Sequence, residues 1–281
     1  MNKVRTFFIS DQVVKTHVGP PSLRKIPKVV KSALDAGLIE IDDEFGLVPR
    51  TELYDAHTEE YAEGVIGLRL SNGFGNRDSD IRIQCLASCG SIRASARYAV
   101  EHNTITFSPT QGFHHAGYRG GWGYCTFNGL IIAAKYLLDH DLVEHVTILD
   151  GDTHYGDGTE NIIEELGLEA QINHIHLGSA SALAKAPWDV APIVGDIVDR
   201  IAGSGTGLVI YQAGADSHID DDYGGGFLTT EQFHLRDRLI FRGLAGKVPL
   251  TFNLAGGYNE RNVVRLHTGT VKEAFDALNA G

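Results

Sequence analysis

The chain has 281 residues, a formal net charge of −12, and 43% hydrophobic and 21% charged side chains. That length suits one large α/β domain. The acidic balance excludes a protein that tracks nucleic-acid phosphates on a basic surface, and it is compatible with a cationic or amine-bearing substrate.

The N-terminal apolar run is too short for a signal peptide and lacks a small-residue cleavage site, so it reads as a first strand over 5–10. Helices are predicted over 22–36, 58–67 and 81–101, the last carrying Cys85 and Cys89 on a buried face. Strand and helix then alternate: strand 104–107, helix 126–140, strand 146–149, helix 159–166, strand 172–177, helix 188–202, strand 208–212, helix 229–244, strand 250–254 and helix 259–278. Such alternation predicts βαβ units and a single-domain, three-layer α/β/α architecture over 1–281, with a mainly parallel central sheet. Three cysteines, Cys85, Cys89 and Cys125, make no disulfide framework and point to a reducing, cytoplasmic setting. No window approaches the ~18 apolar residues of a membrane span. Neither nucleic acid nor membrane is expected as a partner, and an oligomer is open.

Four segments directly follow strands and are expected at one sheet edge, where open α/β sheets bind ligands. In the second, the apolar run Val146-Thr-Ile-Leu149 leads into Asp150, Asp152 and His154, spaced by two. On an extended backbone these side chains project to one side and converge. Carboxylate plus imidazole suits a divalent ion such as zinc. The third, Gly214-Ala-Asp216-Ser217, supplies a further carboxylate, so Asp152, His154 and Asp216 would make a three-ligand site with an open position; Asp216 can also be read as a helix cap. In the first, the adjacent His114 and His115 point in different directions and suit proton transfer, with Asp150 and Asp157 as spare carboxylates to orient them. In the fourth, Tyr258 follows Ala255-Gly-Gly257, where it could donate to a developing oxyanion or simply pack.

In combination, Phe113-His-His-Ala116, Gly123-Tyr-Cys-Thr-Phe-Asn128, Asp150-x-Asp-x-His-x-Gly-Asp-Gly-Thr159, Gly214-Ala-Asp-Ser217 and Gly256-Gly-Tyr258 resemble, in order, the zinc-dependent histone deacetylases and their bacterial relatives, including acetylpolyamine amidohydrolases. Ala56-His-Thr-Glu-Glu-Tyr61 is similar to a further family segment, and Gly19-Pro-Pro-Ser-Leu-Arg24 stands in for the His-Pro-Glu-Arg segment. The resemblance implies the arginase/deacetylase fold and hydrolysis of an acylated amine: acyl-lysine, acetylpolyamine or a small metabolite. It implies Asp152, His154 and Asp216 as zinc ligands, with iron(II) an alternative metal. It also implies His115 with Asp157 as base and later acid, His114 with Asp150 as the auxiliary pair, Tyr258 as oxyanion donor, and Gly123 and Tyr124 at the wall of the acyl tunnel.

The sequence departs from that pattern in three places. Tyr155 replaces a second histidine, and 179–185 lacks the usual aromatic-Pro-Gly loop. His174 stands where the family has a serine that helps to bind a monovalent cation, which leaves potassium open. Asp78 and Asp80 are candidates for the acidic rim residue with which the family grips the substrate backbone. Two rival readings are an acyl-binding module without catalysis and an arginase-like dinuclear manganese hydrolase using Asp220, Asp221 and Asp222.

Overall fold

The computed structural model describes residues 1–9 and 21–280. The sheet has seven strands, all parallel, in the order β2-β1-β3-β9-β8-β6-β7. These are β1 (Val4–Phe7), β2 (Ile39–Asp42), β3 (Ile105–Ser108), β6 (Val146–Asp150), β7 (Ile172–His176), β8 (Leu208–Gln212) and β9 (Leu250–Asn253). Two-residue strands β4 (Ala116–Gly117) and β5 (Gly120–Gly121) form a separate antiparallel hairpin. The helices are α1 (Pro21–Asp35), α2 (Arg50–Leu53), α3 (Glu59–Ile66), α4 (Ser79–His102), α5 (Gly129–Asp139), α6 (Asp157–Leu166), α7 (Ala182–Lys185), α8 (Val190–Gly203), α9 (Thr230–Leu244) and α10 (Val263–Asn279).

The central strands are apolar on both faces because both faces are covered. Along β8, Leu208 and Ile210 enter one core with residues of α3–α6, while Val209 and Tyr211 enter the other with α1 and α8–α10. Ala-rich α4 and α5 pack closely on the first face, and Phe233, Phe241 and Leu266 dominate the second. The expected three-layer α/β/α architecture is therefore the one observed.

Register determines where the site lies. Ser108 pairs with Asn253, Asn253 with Gln212, Gln212 with Asp150, and Asp150 with His176. One polar row thus closes the carboxyl ends of five strands, and the loops beyond it emerge together.

Several expectations change at element ends. The predicted helix 126–140 begins at Gly129, because the Asn128 side chain caps it by accepting from Ile131 N. The last helix begins at Val263, not at 259. Strand β2 had no prediction: Ile39-Glu-Ile-Asp42 is four residues on a sheet edge, and its acids pair outward with Arg5. Ser10 of the expected first strand, and Gly19 and Pro20 of the segment compared with His-Pro-Glu-Arg, lie outside the described residues. No helix among the described residues is long and apolar enough to cross a membrane.

Candidate active site

The four segments converge as expected, but by a different local geometry at the second. Strand β6 stops at Asp150, and 152–154 form a bend rather than extended backbone. Simple alternation therefore does not carry Asp150 to the side of Asp152 and His154. Its carboxylate turns to the histidine pair: Oδ2 accepts from His114 Nδ1 at 2.7 Å, and Oδ1 accepts from Gln212 Nε2 at 3.0 Å and Asp152 N at 3.1 Å.

The bend and the loop after β8 instead bring Asp152, His154 and Asp216 together, with one potential donor atom from each within 4.8 Å of the others. His154 Nδ1 lies 3.1 Å from Asp152 Oδ1 and 2.9 Å from Asp216 Oδ2. The remaining carboxylate oxygens are satisfied by backbone: Thr153 N donates to Asp216 Oδ1 and Gly256 N to Asp152 Oδ2. Asp216 caps no helix. A Cβ at Gly256 would lie 2.5 Å from an oxygen of each aspartate, so only glycine lets the fourth loop close over the cluster.

Two fully buried carboxylates sharing one imidazole fit a cation, since like charges in a desolvated site repel. Burial and the Asp152 charge push Asp216 up to about 8. Burial opposes ionisation of Asp152 as well, but the nearby His114 charge outweighs it and holds Asp152 well down. Hydrogen bonds to Asp152 and Asp216 raise His154 to about 10.

Beside this cluster stand two histidine–carboxylate pairs. His115 Nδ1 lies 2.6 Å from Asp157 Oδ1, at the first residue of α6, and the two imidazole centroids are 4.2 Å apart. Their environments push the pair in opposite directions. Burial opposes charge on His114, but Asp150 and then Asp152 outweigh it and raise the ring to about 9. His115 is lowered by burial and by the charge of His114, against the opposing Asp157 bond. Neighbouring groups separated in this way are chemically suited to act as acid and base. The site thus holds two imidazoles whose surroundings pull their charge in opposite directions, next to the three-donor cluster.

Gly123 and Tyr124 both have positive φ, 55° and 65°. A Cβ at Gly123 would meet His115 Cδ2 at 2.6 Å, so this glycine makes room for the ring. Tyr124 faces Tyr258 with 6.0 Å between ring centroids. Trp122, over half exposed, lies against His115 at 4.1 Å. Asp221, proposed above as a bridging carboxylate, is occupied otherwise: its Oδ2 accepts from Tyr258 N at 2.7 Å and from Asn259 N. Asp78 is the N-cap of α4, accepting from Asp80 N and Ile81 N.

Sequence reading missed the supports beneath the site. Gln212 bridges the loops, its Oε1 accepting from Phe113 N while Nε2 holds Asp150. Arg236, fully buried, donates to Gly151 O, Ser217 Oγ and Gly214 O, stapling the Asp152 and Asp216 loops from below. Lys25 Nζ donates to Ala255 O and Gly256 O at 2.5 and 2.7 Å, fixing the turn before Tyr258. Burial lowers Lys25 to about 8. Both cations interrupt an apolar helix stripe, between Leu23 and Ile26 and between Phe233 and Ile240, which was the available signal. His57 pins the β4–β5 hairpin to the cap of α5, with Nδ1 on Gly117 O and Nε2 accepting from Asn128 N. Burial lowers it to about 4, so it stays neutral.

A parallel three-layer sandwich with this donor cluster at its strand ends has the architecture of the histone deacetylases. The chain belongs to the histone deacetylase domain family, whose model matches residues 22–177. It is 27% identical over 232 residues to an uncharacterised protein of Picosynechococcus sp., covering 76% of this chain and 74% of that one. It is 29% identical over 171 residues to the acetylpolyamine amidohydrolase of Mycoplana ramosa, covering 52% of this chain and 49% of the relative. The solved HDA15 HD domain superimposes with a TM-score of 0.76 at 19% identity, over 98% of this chain and 88% of that domain. The family match ends before Asp216 and Tyr258, so these two rest on geometry.

Proposed function

We propose that the protein is a metal-dependent deacylase that hydrolyses the amide of an acylated amine: an acyl-lysine, an acetylpolyamine or a small metabolite. The observation that carries the reading is the pair of adjacent imidazoles, each backed by its own carboxylate, beside three convergent donors. Asp152, His154 and Asp216 would hold zinc, or iron(II), which when bound supplies Lewis acidity toward the amide carbonyl and the attacking water. His115, the neutral ring, takes the water proton at Nε2 while Asp157 holds Nδ1, then delivers it to the departing amine. His114 stays protonated against Asp150 and faces the developing negative charge. The Tyr258 hydroxyl donates to the oxyanion, from a turn held by Lys25 and Asp221. Gly123 and Tyr124 line the acyl side, and residues 1–281 act as one catalytic unit.

The net charge of −12 is compatible with an amine-bearing substrate, and an acetylpolyamine amidohydrolase among the relatives supports the same class. The test is metal analysis and amine release on one sample, with acetyl-lysine peptides, acetylpolyamines and longer acyl-lysines. About one zinc or iron per chain with turnover supports the reading. Stoichiometric metal without turnover on any amide favours an acyl-binding module. Two manganese ions per chain would favour arginase-like chemistry, for which the described residues offer no second three-donor cluster.

A further inference from the structure

Asp150 has a second imidazole behind it. His174, on β7, has a side chain only 2% exposed. Its Nδ1 lies 2.6 Å from Glu160 Oε1, on α6, and its Nε2 lies 3.6 Å from Asp150 Oδ2, on β6. Nε2 makes no hydrogen bond, and the Asp150 carboxylate is the group it faces. The approach depends on Gly156: a Cβ there would stand 2.8 Å from His174 Cε1 and 2.9 Å from Asp150 Oδ2. Ring, glycine and carboxylate form one packed unit directly behind the bond from Asp150 to His114.

Two carboxylates from two different elements therefore face opposite nitrogens of a single buried ring. A neutral imidazole has one N–H and could serve only one of them, leaving a lone pair against the other carboxylate; an imidazolium turns an N–H to each, hydrogen-bonded to Glu160 and within ion-pair distance of Asp150. The other titratable groups near the ring are His176, two residues along the same strand, and His114 on the far side of Asp150. His176 is itself lowered, first by burial, so it adds no competing charge.

We propose that His174 is a positioning residue: as an imidazolium clamped between Glu160 and Asp150, it is a built-in cation that locks the Asp150 carboxylate behind His114. The inference deepens the deacylase reading and rests on it. The pKa of His174 agrees with the geometry: burial opposes protonation, but the Asp150 and Glu160 carboxylates outweigh it and raise the ring to about 9. The chain thereby carries a positive charge beside Asp150 Oδ2, the oxygen that accepts from His114.

The test combines nitrogen NMR of the histidine rings with steady-state kinetics on the metal-loaded protein. His174 should show both nitrogens protonated at neutral pH and titrate near 9. Glu160 lies toward the surface, so Glu160→Gln should keep the fold while lowering the His174 titration and shifting the His114 resonances. It should cut kcat by about tenfold with little change in KM, the scale for loss of an outer-shell partner, and Glu160→Asp should restore most of the loss. A His174 that titrates at or below about 6.5, or a Glu160→Gln enzyme with unaltered kcat and His114 signals, overturns the inference. The ring state and its coupling to His114 are read without substrate. Failure of the wild-type protein on every amide therefore counts against the deacylase reading alone, whereas turnover with a neutral His174 overturns this inference alone.

Discussion

Loading the Asp152–His154–Asp216 cluster with a divalent ion should expel protons, and the number can be counted. Without metal, His154 shares its Nδ1 between Asp152 and Asp216 at 3.1 and 2.9 Å and is raised to about 10 by those bonds. Asp216 is raised to about 8 by burial and by the Asp152 charge. At neutral pH both groups hold protons that a bound cation must displace, since only the neutral imidazole and the ionised carboxylate are ligands. Between about pH 6.5 and 8, binding should release between one and two protons, so apparent affinity should rise about ten- to a hundredfold per pH unit, or ~1.4–2.7 kcal/mol. Above about pH 8 the slope should settle toward one, and near 10 it should flatten. Calorimetric zinc titration against a competing chelator, repeated in buffers of different ionisation enthalpy, reads the proton count directly. A pH-independent affinity across pH 6.5–8, with no buffer dependence, would refute the argument that two buried carboxylates and one imidazole make a proton-filled cation site.

Three substitutions probe the rest of the site. Tyr258→Phe should lower kcat by ~10²–10³, as for loss of one oxyanion donor, with metal content and melting temperature unchanged; undiminished turnover removes the hydroxyl from the mechanism. Gly256→Ala puts a methyl 2.5 Å from both ligand carboxylates and should weaken zinc binding by at least about tenfold. Wild-type affinity in a competition titration would show that the loop yields more freely than the close contacts imply. Arg236→Ala removes three loop contacts and leaves Asp237 buried without its cation. It should cost ~3–5 kcal/mol in denaturant unfolding, and a variant as stable as the parent would deny Arg236 its stapling role.

Much of this was legible because the chemistry is concentrated in short segments. Six of the seven strands and the eight longer helices follow from apolar runs and helical periodicity, since the buried parallel strands are apolar on both faces. Edge strand β2, with two residues of each kind, carries too short a pattern to stand out. Asp152, His154 and Asp216 were identifiable as donors by residue type and by their place after strands, and the histidine pair by its spare carboxylates. The route by which they meet was not legible. Alternation on a straight strand would have sent Asp150 to the side of Asp152 and His154, whereas with the bend at 152–154 it meets His114.

The sequence by itself determined the alternating α/β order, the parallel sheet and the inventory of reactive groups, because these depend on local periodicity and on side-chain chemistry. Tertiary structure alone decided that Asp221 supports the Tyr258 turn, and that Lys25, Gln212 and Arg236 hold the loops from below. Those outcomes depend on strand register and on contacts between residues tens to hundreds of positions apart, such as Lys25 with Gly256 at a separation of 231. Local propensity carries no information over that span. Only closure of the sheet and burial of its edge bring such groups within hydrogen-bond reach, where each buried donor must find an acceptor.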